Sequence, residues 1–236
     1  MRPISVSGRL RCCAALVPPG GTVADVGCDH GYLSIYLLQQ GIASRVVATD
    51  LREKPLARAR ENAALHGVAD RMEFFRADGL QAVAAPCDTV VCAGMGGDKI
   101  AAILDACPWV QQAGTTLVLQ PQTSGNDLRR YLGEHGYTIR QELLTRDAGR
   151  LYFAIQAVPG GGRPLTPGEQ YLSPQLLAGG SPLLPAYSAR ILAALERALA
   201  GMDRAGAADP RRIYYSTALQ EVKEMKRAYE NSTGCL

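Results

Sequence analysis

The sequence predicts an α/β fold: a mainly parallel, seven-stranded sheet with helices on both faces, then a small C-terminal α-helical hairpin. Three observations carry this. Across residues 1–158, short β-like runs alternate with helical runs, the pattern of strand–helix crossovers. Glycine and aspartate gather where the strand runs end. After a Gly- and Pro-rich linker at 159–168, the Ala/Leu-rich segment 169–236 carries no strand signal.

The elements follow in order. Thr22–Val26 reads as a short buried strand. Tyr32–Gln40 is helical, and Gly41 ends it in the usual C-terminal manner. Arg45–Thr49 is the second strand, closing at Asp50. Glu53–His66 is a helix, with Pro55 tolerated in its first turn and Gly67 past its end. Arg71–Arg76, Asp88–Ala93 and Thr115–Gln120 are further strands, with helices over Asp98–Ala106 and 125–135. Tyr137–Leu144 and Leu151–Val158 close the sheet as an antiparallel pair at one edge. In the tail, Ile191, Leu195, Leu199 and Met202 share one helical stripe. Tyr215, Ala218, Val222, Met225 and Tyr229 share another. Asp209 and Pro210 suit the N-cap and first position of the second helix. Two helices on a short loop pack antiparallel, with the stripes as core.

Composition narrows the function classes. The chain has 236 residues, 47% hydrophobic and 20% charged, which excludes a disordered polymer. Its net charge of +3, from 25 basic and 22 acidic residues, marks neither a histone-like binder nor an acidic protein. No run supplies the roughly 20 apolar residues of a spanning helix, and the N-terminus lacks a signal-peptide core. The expectation is a cytoplasmic protein without a membrane partner and without an evident obligate protein partner. Seven cysteines, an odd number with no C-x-x-C pair, and three histidines suit reduced buried thiols and no metal site.

In open parallel sheets, ligands bind beyond the carboxyl ends of the strands. Here those ends read Asp25-Val26-Gly27-Cys28-Asp29-His30-Gly31, then Asp50, then Ala77-Asp78-Gly79, then Ala93-Gly94-Met95-Gly96-Gly97. Acidic residues at three successive ends point to a nucleoside-type ligand. A dinucleotide site needs G-x-G-x-x-G, its second glycine against the pyrophosphate. Asp29 stands at that second position and Tyr32 at the third, and a carboxylate there would repel phosphate. S-adenosylmethionine has no phosphate, and its sulfonium and ammonium groups attract acidic side chains. Asp50 suits ribose hydroxyls and Asp78 the adenine amino group. The chemistry points to a methyltransferase.

VADVGCDHGYLSIYL, ARENAALHG, RADGL, VVCAGMGG and LVLQP together resemble the bacterial tRNA (adenine-22-N1)-methyltransferase family, often called TrmK. The resemblance runs from Ser7 to about Val158 and continues more weakly into the tail. It implies a Rossmann-like class I methyltransferase domain over 1–158 and a helical, coiled-coil-like domain over 169–236. It also implies S-adenosylmethionine as methyl donor, S-adenosylhomocysteine as product, and N1 of an adenine in the D-arm region of tRNA as target.

N1 carries a free lone pair, so the attack needs alignment and water exclusion rather than deprotonation. The product base is cationic. Asp29 is the candidate to accept from the adenine amino group and steady that charge; its alternatives are holding the cofactor ammonium or capping the helix after Gly31. Gly94 and Met95 form the second catalytic candidate, where small residues let the base approach and Met95 offers a soft stacking surface. A tight strand-to-helix turn explains the glycines equally. The cofactor pocket is assigned to Asp25, Gly27, Cys28, Asp29, His30 and Gly31; to Asp50 and Leu51; to Asp78, Gly79 and Leu80; and to Ala93 and Gly94. RNA contacts are assigned to Arg9, Met95, Gly96 and Gly97, and to the tail cluster Arg211, Arg212, Lys223, Lys226 and Arg227. Arg11, Arg52, Lys54, Lys99, Arg129 and Arg130 are further phosphate candidates. The alternatives are a methyltransferase for another RNA, a protein or a small molecule, and a non-catalytic RNA-binding protein that keeps the fold.

Overall fold

A computed structural model describes residues 2–83, 86–205 and 209–233. Cys235 and part of the loop between the tail helices, residues 206–208, lie outside them. The chain runs α1 (Gly8–Ala14), β1 (Thr22–Val26), α2 (Tyr32–Gln39), β2 (Arg45–Asp50), α3 (Glu53–Leu65), β3 (Met72–Arg76), β4 (Thr89–Met95) and α4 (Gly97–Asp105). It continues with β5 (Thr116–Pro121), α5 (Gly125–Glu134), β6 (Tyr137–Asp147), β7 (Arg150–Pro159), α6 (Pro174–Ala178), α7 (Leu184–Ala205) and α8 (Arg212–Thr233).

The seven strands form one sheet in the order β3-β2-β1-β4-β5-β7-β6. Pairings from β3 through β5 are parallel, and β7 runs antiparallel to both β5 and β6. The order reverses where β1 lies between β2 and β4, which opens a crevice at their carboxyl ends. Side chains alternate across the sheet. Val23, Val91, Val118 and Ala154 pack with Leu37, Ile35 and Leu56 on one face. Ala24, Val90, Leu117, Leu119 and Ile155 pack with Ile100, Leu104 and Leu132 on the other. That second cluster runs without a break into Leu172, Leu176, Tyr187, Leu195, Ala218 and Val222. The tail helices therefore join this core through Leu195, Ala218 and Val222, with Ile191, Tyr215, Met225 and Tyr229 packed half-buried against it; Leu199 and Met202, expected on the first stripe, are half-buried outside that cluster.

The stretch after β7 is pinned. A side chain at Gly133 or Gly162 would strike the backbone of Arg163 or Tyr137, and one at Gly168 would strike Glu221. Glu221 in turn accepts from the Gly168 amide (2.6 Å) and the Thr166 hydroxyl (2.7 Å). Ion pairs Lys223–Glu196 (3.0 Å) and Arg212–Asp203 (2.9 Å) bridge α7 and α8 in antiparallel register.

Three expectations need correction. The second tail helix starts at Arg212, not at Pro210; Asp209 accepts from the Arg211 amide (2.9 Å) one turn ahead of it. The short helices α1 and α6 went unread, because five to seven residues are too few to display a helical period. Arg129, expected as a phosphate contact, is 1% exposed. Its Nε and Nη2 donate to Glu142 at 2.9 and 2.6 Å, its Nη1 donates to the Gln170 carbonyl at 3.0 Å, and its guanidinium lies 4.1 Å from the Phe153 ring centre. The pair joins α5, β6 and the tail.

Removing one partner strands the other charge in the core, which costs about 3–5 kcal/mol. Arg129→Met is expected to lose about that much in urea unfolding; a loss below ~1 kcal/mol would show that the pair is not what joins these elements.

Candidate active site at the strand ends

The loop after β1 is shaped by three alternate left-handed positions. Gly27, Asp29 and Gly31 have φ of 69°, 51° and 73°. A methyl group at Gly27 would press on Met95 Cε, and one at Gly31 on Ala59, so the loop passes close to β4 and α3. Asp29 tolerates its backbone because short polar side chains visit this region. Its amide donates to Asp50 Oδ2 (3.1 Å), while Asp50 Oδ1 accepts from the Arg52 amide (2.9 Å). Asp50 is thus a buried brace between two loops, with lone pairs left for a diol.

The four aspartates do not share one environment. Asp25 is 3% exposed and lies beneath the loop, accepting from Ser34 Oγ at 2.5 Å. Asp29 is exposed at the rim, its Oδ1 3.7 Å from His30 Nε2. It does not cap α2, whose N-cap is Gly31 with no side-chain bond. Asp78 lines a cavity of about 140 Å3 with Leu80, Lys99 and Ile103. His30 Nδ1 is buried without a partner among the described residues, and the His30 carbonyl accepts from Asn62 Nδ2 (2.9 Å). Cys28 is buried, and its thiol is pushed up by burial. Leu51 is 53% exposed, an apolar face left open beside Asp50. The Thr49 hydroxyl donates to the Gly79 carbonyl (2.8 Å) and ties the second strand end to the third.

The loop after β4 completes the crevice. Met95 pairs with Pro121, and its carbonyl accepts from the Gln122 amide (2.8 Å). Gly94 has φ of 83°, and a methyl there would meet the Arg9 guanidinium. Arg9 reaches this point because α1 packs against β6 and β7, and its Nη1 donates to Gln120 Oε1 (2.8 Å). Gly97 is demanded by packing, since a side chain would strike the Ser124 carbonyl. Gly96 faces the Thr123 hydroxyl, and Ala93 is half-buried in β4. The first loop, Asp50, Gly94, Met95 and Arg9 therefore converge. The tail cluster stands apart, on α8 and the turn before it, and four of its five basic residues carry acidic partners: Arg211 with Asp209, Arg212 with Asp203, Lys223 with Glu196 and Lys226 with Glu230.

This site can hold a nucleoside over a glycine loop and bring a second group against Met95. The sequence of the methyltransferase domain, as a family, matches residues 6–155. The chain belongs to that family, as a class I, TrmK-like methyltransferase. It is 29% identical over 161 residues to the tRNA (adenine(22)-N(1))-methyltransferase of Bacillus subtilis (strain 168), covering 68% of each chain. Among solved structures, a protein of the NADB-Rossmann superfamily from Streptococcus agalactiae is 31% identical, with 94% of this chain and 97% of that one covered and a TM-score of 0.82. A Streptococcus pneumoniae protein in complex with S-adenosyl-L-methionine is 29% identical, with 94% and 99% covered and a TM-score of 0.77.

Sequence reasoning missed the residues that act through these loops. Ser34, Asn62 and Gln120 are ordinary helix and strand residues in sequence, and only the fold brings them to Asp25, His30 and Arg9. The described residues hold no cluster fit for a metal, and no described helix is long and apolar enough to cross a membrane.

Burial raises Asp25 from 3.8 to about 6; the Ser34 hydrogen bond lowers it, and nearby Asp50 raises it. The folded chain thus holds this proton more tightly than the unfolded one. Native stability falls as pH climbs from about 4 to about 6, by about 3 kcal/mol, and levels off above. Asp25→Asn removes this loss, so the variant is expected to gain on the wild type over that window in thermal unfolding. Parallel pH profiles for the two proteins would contradict it.

Proposed function

We propose that the chain transfers the methyl group of S-adenosylmethionine to N1 of adenine 22 in tRNA. The observation that carries this reading is the convergence of Asp29, Asp50 and Gly94–Met95 in a TrmK-like methyltransferase. The residues fit the donor: Asp50 keeps free lone pairs, Leu51 leaves an apolar face open beside it, and His30 Nδ1 is a buried polar atom in want of a partner. Asp50 would hold the ribose hydroxyls, Leu51, Asp78, Gly79 and Leu80 the adenine end, and Gly27, Cys28, His30, Gly31 and Ala93 the amino-acid end. Bound S-adenosylmethionine supplies an electrophilic methyl on a sulfonium sulfur.

The protein's own task is placement. Gly94 carries no side chain where the Arg9 guanidinium closes in, and Met95, held over Gly27, gives the incoming base a polarisable face. The target edge is engaged in paired RNA, so the adenine must leave the stack to enter. Asp29, exposed at the rim, accepts from the adenine amino group, orients N1 and steadies the cation that forms. S-adenosylhomocysteine leaves with the spent sulfur. Residues 1–158 serve as the methyltransferase domain and 169–236 as a helical domain behind a short linker. A tRNA substrate and the buried thiols of Cys12, Cys13, Cys28, Cys92 and Cys107 support a cytoplasmic setting.

Incubation with methyl-labelled S-adenosylmethionine and unmodified bulk tRNA, followed by nucleoside analysis, is expected to give 1-methyladenosine; label only in another nucleoside would sink the reading. Asp29→Ala is expected to lower kcat by about 10²–10³-fold with the donor's Kd within about twofold. Lost donor binding would instead assign Asp29 to the cofactor ammonium.

A further inference from the structure

Beside Met95, the carboxyl end of the sheet opens into a trough that no motif announced. It consists of two adjoining cavities of about 420 and 180 Å3 that share Pro121, Gln122, Phe153 and Arg190. Pro121 and Gln122 are the residues paired to Met95, so the trough begins where the target base meets the site. Its far wall is the tip of the β6–β7 hairpin, which turns through Ala148 and Gly149 at φ of 45° and 77°. That two-residue turn sets Arg146 and Arg150 on either side of it. Arg190 of α7 forms the third corner; its Nη1 donates to the Leu151 carbonyl (2.9 Å), and its guanidinium rests 5.2 Å from the Tyr187 ring centre.

The charge here is one-sided. Arg146, Arg150 and Arg190 are all exposed, none has an acidic partner among the described residues, and no acidic side chain lines either cavity. Asp147, the nearest acid in sequence, is committed elsewhere, accepting from the Arg9 amide (3.2 Å). The tail cluster is the reverse case, largely matched to carboxylates on its own helices. A trough of unpaired arginines flanked by a half-buried tyrosine, Tyr152, suits a polyanion with stackable bases.

We propose that this trough receives the phosphate backbone of the tRNA strand next to the target adenosine, with Arg146 and Arg150 on phosphates and Arg190 closing the side. The inference rests on the tRNA reading above. It makes α7 and the β6–β7 hairpin, rather than the basic face of α8, the anchor of the substrate. Arg146 and Arg150 are the residues to remove, because Arg190 also supports local packing.

The test is tRNA binding by the full chain across a salt series, with donor affinity as the folding control. Arg146→Gln/Arg150→Gln is expected to weaken tRNA binding at least tenfold near 0.15 M salt and to cut the log–log salt slope by about 2. KM for tRNA should rise while kcat and the donor's Kd stay within twofold. Arg45→Gln/Arg58→Gln, an equal charge loss on β2 and α3, is expected to change tRNA affinity less than twofold. An unchanged affinity and slope in the trough variant, beside a wild type that methylates tRNA, would overturn the trough and leave the reaction standing. A loss confined to Lys223→Gln/Arg227→Gln would move the contact to the hairpin and overturn it as well. A wild type that neither binds nor methylates tRNA would overturn both.

Discussion

The buried pair between Arg129 and Glu142 sets how the two parts of this chain can sit. A desolvated guanidinium must spend its donors on fixed partners. Arg129 does so on the β6 carboxylate and on the Gln170 carbonyl, with Phe153 against its face. Helix α5, the edge hairpin and the start of the tail therefore share one anchor. Desolvation alone would lower the Arg129 pKa; Glu142 outweighs it and holds the guanidinium firmly charged. The tail shares the core cluster through Tyr187, Leu195, Ala218 and Val222. Arg190 lands beside Leu151 as a consequence. The trough next to Met95 is thus a product of core packing, and the substrate surface proposed for it is built from packed elements.

On the other side of Met95, the same economy of carboxylates builds the donor end. Asp25, buried and bonded to Ser34, supports the loop from below. Asp50 fastens Asp29 and Arg52 through their amides. That frees the Asp29 side chain to remain at the rim, where a cationic product would form. Three carboxylates that look alike in sequence thus divide into a foundation, a brace and a contact. Methyl transfer to a neutral nitrogen asks for little acid–base work, and the site offers little; what it offers is placement.

Much of this was legible from pattern. Thr22–Val26 coincides with the observed β1, and the strands from β2 to β5 fall within one or two residues of their expected ends, because a parallel strand buried on both faces shows as a continuous apolar run. The strand-end aspartates and glycines were legible because the crevice rule ties position in sequence to position at the site. The edge hairpin was longer than expected, reaching Asp147 and Arg150, since its polar tip carries no apolar alternation. Arg129 was unreadable for a different reason. Its neighbour Arg130 forms an exposed pair with Asp127, and nothing local separates the two arginines. Only the partner thirteen residues away, in another element, decides which one is buried. Arg9 was assigned to RNA on its charge alone; its reach to Gly94 and Gln120 was not legible, because its short helix shows no period.

Two consequences join these parts. The loop after β1 and the trough meet at Met95, so in the proposed reading the reacting methyl and the RNA strand would be referred to one strand end. The order of the sheet then matters chemically: β4 lies between β1, which carries the donor loop, and β5, which opens the trough. The most direct measurement is methyl transfer to a single unmodified tRNA transcript, compared with the same transcript carrying guanine in place of adenine 22, each digested to nucleosides. The account predicts 1-methyladenosine from the first and no label in the second. Equal label in both, or label in any other nucleoside of the first, would contradict it.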